Sequence, residues 1–178
     1  MQSISYKVAL GGIISSLCLL CMFLTGVIPV MYIVLPMIAG ILMMIITIEV
    51  DTRWAFLTYL STSLLSLIIT FDKESALMYI LLFGHYPIIK KYIDAIKPKI
   101  LRIITKAVIF NFSLLLIAFL TIHLFGMTEF YDELFQKGKL VIFLVIAVMN
   151  FICVAYDISL EGIFQNYCKS LKPKLKHY

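Results

Sequence analysis

Charge is what this chain has least of. Acidic and basic residues together make up 14% of its 178 residues, where a soluble domain carries about 25%. Apolar residues reach 62%. A water-soluble fold of this length cannot enclose so much apolar surface, so lipid is the expected solvent. The length is one domain's worth, 1–178, with no room for a separate soluble ATPase or receptor module. Catalytic vocabulary is missing as well. There is no GxxxxGK[ST] loop for nucleotide phosphates, no HExxH pair for a metal, and no GxSxG around a nucleophile. The three histidines, His85, His123 and His177, lie far apart in the chain. No enzymatic activity, cofactor or metal is therefore expected. Reviving an intramembrane enzyme would need a role for Asp157 or His85.

Cysteines are few: Cys18, Cys21, Cys153 and Cys168. Cys18 and Cys21 form a CxxC, but inside an apolar run, without a second pair or a nearby histidine. They read as small packing residues rather than zinc or redox ligands. No cleaved signal peptide is expected, because the first apolar run is too long and no small-residue cleavage site follows it.

What is present is a set of apolar runs with bases at their ends. The stretch His85 to Lys106 carries Lys90, Lys91, Lys97, Lys99, Arg102 and Lys106, with Asp94 its lone acid. Such a block between two apolar runs stays on the cytoplasmic side while its neighbours insert. The expected spans are 8–30, 31–48, 54–70, 75–89, 107–127 and 140–156. This is an all-α membrane protein, a bundle of six transmembrane helices with both termini cytoplasmic. Twelve of the fifteen bases then fall inside and three, Lys73, Lys137 and Lys139, fall outside. Acids divide evenly, which leaves the outer face net acidic and the inner face strongly basic. The net charge of +5 and pI near 9.0 thus follow from topology, and nucleic acid is not an expected partner. Membrane lipid is.

Breaks are expected at Pro29 and Pro87, and the Lys97–Pro98 pair is expected to divide the basic stretch into two interfacial pieces. Thr58, Ser61, Thr62, Ser63 and Ser66 make the third span rich in hydroxyls, which a helix carbonyl can satisfy. Asn111 and Asn150 are expected to be buried amides that pair between helices.

The most informative polar feature is an outer rim. The FDKES turn, with Asp72, Lys73 and Glu74, would sit beside the 128–139 connection, with Asp132 and Glu133. His123 would lie just below. This is the expected solute-binding mouth, since polar groups near membrane depth tend to face a bundle interior or water. A solvated turn with ordinary charges is the other reading. The net acidic rim favours a neutral or cationic solute.

The opening KVALGGIISSL places Gly11 four residues from Ser15 and Gly12 four from Ser16. Small residues at this spacing share a helix face and let two membrane helices approach closely. They could serve the protein's own bundle or a partner. With its size, span number and topology, this opening resembles the substrate-binding S components of energy-coupling factor (ECF) transporters. The resemblance implies capture of a vitamin or other micronutrient from the outer side. It also implies docking of the Gly11, Gly12, Ser15 and Ser16 face on a transmembrane coupling subunit, with ATPases supplying energy. In the family that face is typically alanine, so glycine and serine here are a departure. The alternative is a non-transport scaffold of a cell-envelope complex, similar to rod-shape determining membrane proteins of the MreD type.

Overall fold

The computed structural model describes residues 3–126, 136–167 and 169. Among them there are helices and short connections, and no strand. Contacts divide the chain into two compact units, 1–133 and 134–178.

In the first unit α1 (Ile4–Val27) starts at Ser3, whose side chain accepts from the Tyr6 N–H. A short 3-10 turn (Pro29–Met31) leads to α2 (Val34–Glu49). Asp51 caps α3 (Thr52–Ile69), accepting from the Trp54 N–H at 2.9 Å. The same carboxylate pairs with Lys7 at 3.4 Å, tying the start of α1 to the start of α3. The Trp54 N–H and then the Lys7 ammonium hold the Asp51 carboxyl below the usual range, against an opposing push from desolvation.

The expected fourth span is not one regular helix. It runs as α4 (Lys73–Met78), a π-helical turn (Tyr79–Phe83) and α5 (Tyr86–Asp94). Pro87 explains the position of the break. It has no N–H to give to the carbonyl four residues earlier, and the irregular turn lies directly before it. The basic stretch divides at Lys97–Pro98, where a break was expected. From Tyr86 on it is helical except at 95–98, because α5 continues to Asp94 and α6 (Lys99–His123) starts right after Pro98. Asp94 closes this hairpin with ion pairs to Lys90 at 3.3 Å and Lys106 at 2.8 Å. Tyr86 packs on Phe110 with ring centroids 4.5 Å apart.

These helices are built inside out. On α3 the buried residues are Ala55, Thr58, Thr62, Ser63 and Ser66, while Phe56, Leu57, Leu60, Leu64, Leu65 and Ile68 are exposed. On α6 Phe110, Ser113, Ile117 and Thr121 form the buried stripe, and Ile103, Val108, Phe112, Leu115 and Phe119 point outward. A helix in water does the opposite. Hydroxyls and small residues inside with bulky apolar side chains outside is the arrangement lipid favours.

In the second unit α7 (Lys139–Asn166) follows Gly138 and runs for 28 residues. That is about 42 Å at 1.5 Å per residue, longer than a hydrocarbon core of about 30 Å. It continues ten residues past the expected end at 156. Three helices, Ile4–Val27, Lys99–His123 and Lys139–Asn166, are long and apolar enough to cross a membrane, and Val34–Glu49 is a shorter apolar helix. α3, which carries Arg53 and a run of hydroxyls, is not among them. Asn111 and Asn150 are half-buried rather than buried. Each amide donates to its own helix, to Ala107 O and Ile146 O, both at 2.9 Å.

Candidate functional site

Helix directions in the first unit sort its polar groups to two ends. The Ser75 hydroxyl lies 3.0 Å from Tyr32 O, and Phe71 packs on Phe23, so 23–33 and 70–75 share one end. Since α4, the π turn and α5 run away from there, Asp94 reaches the opposite end, with Lys7 and Asp51. His123 returns to the first end. It closes α6, thirteen residues or about 20 Å beyond Phe110, and α4 packs on α6.

The FDKES turn is organised by helix capping. Asp72 Oδ1 accepts from the Glu74 N–H at 3.0 Å and the Ser75 N–H at 3.4 Å, and Oδ2 lies 2.5 Å from the Ser75 hydroxyl. Ser75 has one proton, which serves Asp72 or Tyr32 O at any moment. The Lys73 ammonium donates to Leu67 O at 2.8 Å and Thr70 O at 2.9 Å. It thus covers the last carbonyls of α3, where a cation is favoured. Both charges have local structural work in this turn.

Glu74 differs from its neighbours. Its carboxylate is half-buried and has no hydrogen-bond or ion-pair partner among the described residues. Burial, and after it the neighbouring Asp72 carboxylate, push its carboxyl above the usual range. A group with a raised folded-state pKa favours folding below its unfolded pKa, and that advantage is lost as pH rises through the folded value. Glu74→Gln should therefore raise the melting temperature at neutral pH. The difference should close as pH falls below the ordinary glutamate range, as melting curves from pH 4 to 8 would show.

The structure brings Asp72, Lys73, Glu74 and His123 to one end of this unit. Asp132 and Glu133 lie outside the described residues. His123 is exposed at the close of α6 and stacks on Phe119, centroids 4.5 Å apart. The hydroxyls of Thr70 and Thr121, on α3's C-cap and the last turns of α6, are buried and lack a hydrogen-bond partner among the described residues.

The chain matches no family model, no curated protein and no solved structure.

Below this end runs a polar seam that the sequence does not announce. Tyr79 on the π turn bonds Thr62 of α3 at 2.7 Å. The Cys18 thiol donates to Ala39 O at 3.3 Å. Tyr59 donates to Ile80 O at 2.6 Å, and His85 Nδ1 lies 3.2 Å from the same oxygen. A carbonyl can only accept, so Nδ1 carries the hydrogen in that contact. The π turn is thereby held from α3. The run of hydroxyls in the third span was the available signal; its tyrosine partners were not.

The small-residue face also divides. A Cβ on Gly11 would meet Thr58 Oγ1 at 3.3 Å, so Gly11 faces α3, with Ser15 half-buried. Gly12 and Ser16 are exposed, and the Ser16 hydroxyl donates back to Gly12 O at 2.9 Å.

Proposed function

We propose that this chain is a multi-pass membrane protein of six spans with both termini cytoplasmic. It captures a small neutral or cationic solute at its outer end for uptake with an energising partner, in the manner of an ECF S component. One observation carries the reading. In the first unit the bases gather at one end, with Lys73 alone at the other, and that other end holds an unpartnered, half-buried carboxylate, Glu74. The buried hydroxyls of Thr70 and Thr121, on α3's C-cap and in the last turns of α6, are suited to a solute that brings hydrogen-bonding groups. Two of the rim residues, Asp72 and Lys73, shape the mouth through capping, which leaves Glu74 and His123 to face the solute. The exposed Gly12 and Ser16 face of α1 is the docking surface for a coupling subunit, while Gly11 serves the protein's own packing. Catalysis has no part in this reading.

The test is a purified, detergent-solubilised chain screened against a broad micronutrient panel. The expected result is a rise in melting temperature with a neutral or cationic member, lost in Glu74→Gln. No response across the panel would defeat solute capture. Co-isolation of cell-wall or division proteins in place of ATPase and coupling subunits would replace it with the scaffold reading.

A further inference from the structure

Apart from the exposed Arg53 on the first turn of α3, the bases at the basic end of the first unit divide into two sets. Lys7 pairs with Asp51. Lys90 and Lys106 pair with Asp94, and Lys90 is almost wholly buried. Those bases hold helices together. Lys91, Lys97 and Lys99 are exposed and Arg102 half-exposed. None of these four has an ion-pair partner among the described residues. They flank a single hairpin, the 95–98 turn between α5 and α6, and Lys99 and Arg102 share a helix face three residues apart.

Bulky apolar side chains are interleaved with them. Tyr92, Ile100, Leu101, Ile103 and Ile104 are all more than half exposed, from 51% to 75%. Free cations alone would suit any polyanion. Free cations threaded through outward apolar side chains suit a surface that is anionic above and hydrocarbon below. An acidic protein or a nucleic acid offers only the first part.

We propose that the turn between α5 and α6 binds anionic phospholipid headgroups through Lys91, Lys97, Lys99 and Arg102, while the apolar side chains between them enter the acyl layer. The inference rests on the membrane reading above and is independent of solute capture. It assigns different work to neighbouring lysines: Lys90 and Lys106 fold the hairpin, and the other four bases set its depth and its lipid company.

The experiment offers the full-length protein an equimolar mixture of phosphatidylglycerol and phosphatidylcholine in detergent micelles. Native mass spectrometry counts the lipids retained. The parent should favour phosphatidylglycerol by about fivefold or more, the amount one surface Lys or Arg contributes at an anionic leaflet. The preference should fall to near unity in the K91Q/K97Q/K99Q/R102Q variant and should survive in K139Q, which removes an exposed base outside this hairpin. Should the fourfold variant fold poorly, the parent supplies a second measure. Its preference should shrink as added salt shortens the screening length from about 8 Å to about 3 Å. Equal retention of both lipids by the parent overturns the inference alone, as does a preference indifferent to the four substitutions or to salt. Retention of neither lipid overturns the membrane reading with it.

Discussion

Gly84→Ala should destabilise the protein by about 3 kcal/mol, the upper part of the range for overpacking. A Cβ at this position would lie 2.8 Å from Tyr79 O and 3.0 Å from the Tyr79 ring. Neither obstacle can step aside cheaply. Tyr79 O accepts the Gly84 N–H at 2.7 Å, the bond that defines the wide turn. The Tyr79 ring is fully buried, and its hydroxyl is held by Thr62. Relief would require the π turn to open, which would strain the Tyr59 and His85 contacts on Ile80 O. Gly26→Ala is the control. Its Cβ would meet the Phe71 ring at 2.8 Å and the Phe71 Cβ at 3.0 Å; Phe71 is 73% exposed, so its ring can swing away and a shift of a few tenths of an ångström in the exposed turn relieves the Cβ. Chemical unfolding in detergent should show a large loss for Gly84→Ala and little for Gly26→Ala. Equal losses would mean that the Tyr79 carbonyl does not constrain the turn.

The contrast between these two glycines marks how far the sequence could be read. Helix positions were legible in part, because hydropathy is local. The ends of α2 and α3 fall within three residues of expectation, and the non-helical break lies at Lys97–Pro98, where proline restricts its predecessor. The basic stretch was read as two interfacial pieces between spans. The structure continues both flanking helices through it, since lysine stems can lie along a helix while their ammonium groups reach out. Pro87 signalled an interruption, but not a π turn. That turn depends on Tyr59 from another helix, and such a pairing leaves no mark on local composition.

The rim was legible as a set of residues and not as a division of labour. FDKES reads as three charges of equal standing. The structure uses Asp72 to cap one helix and Lys73 to cap another, because a six-residue helix begins immediately after α3 ends. Glu74 is left over by that geometry. Thr70 and Thr121 could not be selected in advance, as Thr and Ser recur throughout the spans and several are equally buried; only the packing around each decides which hydroxyl goes without a partner.

The inside-out build of α6 leads to the other large expected effect. Phe112 lies near the middle of α6 and is 65% exposed. In a protein surrounded by water, replacing such a residue with arginine changes stability by less than about 0.5 kcal/mol. In a lipid-facing helix the centre is the worst place for a charge. Arginine there costs about 2.5–3.5 kcal/mol, and the favourable few tenths from phenylalanine are lost as well. Phe112→Arg should therefore cost about 3–4 kcal/mol. Ile100→Arg is the matched comparison: Ile100 is 75% exposed, but it sits in the first turn of α6 beside Lys99 and Arg102. An arginine there can extend its charge to the headgroups, so the cost should be small. Membrane insertion efficiency and melting in lipid nanodiscs would both read the difference. Depth along α6 would then govern the outcome, although the two side chains are similarly exposed. If both positions tolerated arginine equally, the outward apolar face of α6 would have to be covered by something other than hydrocarbon.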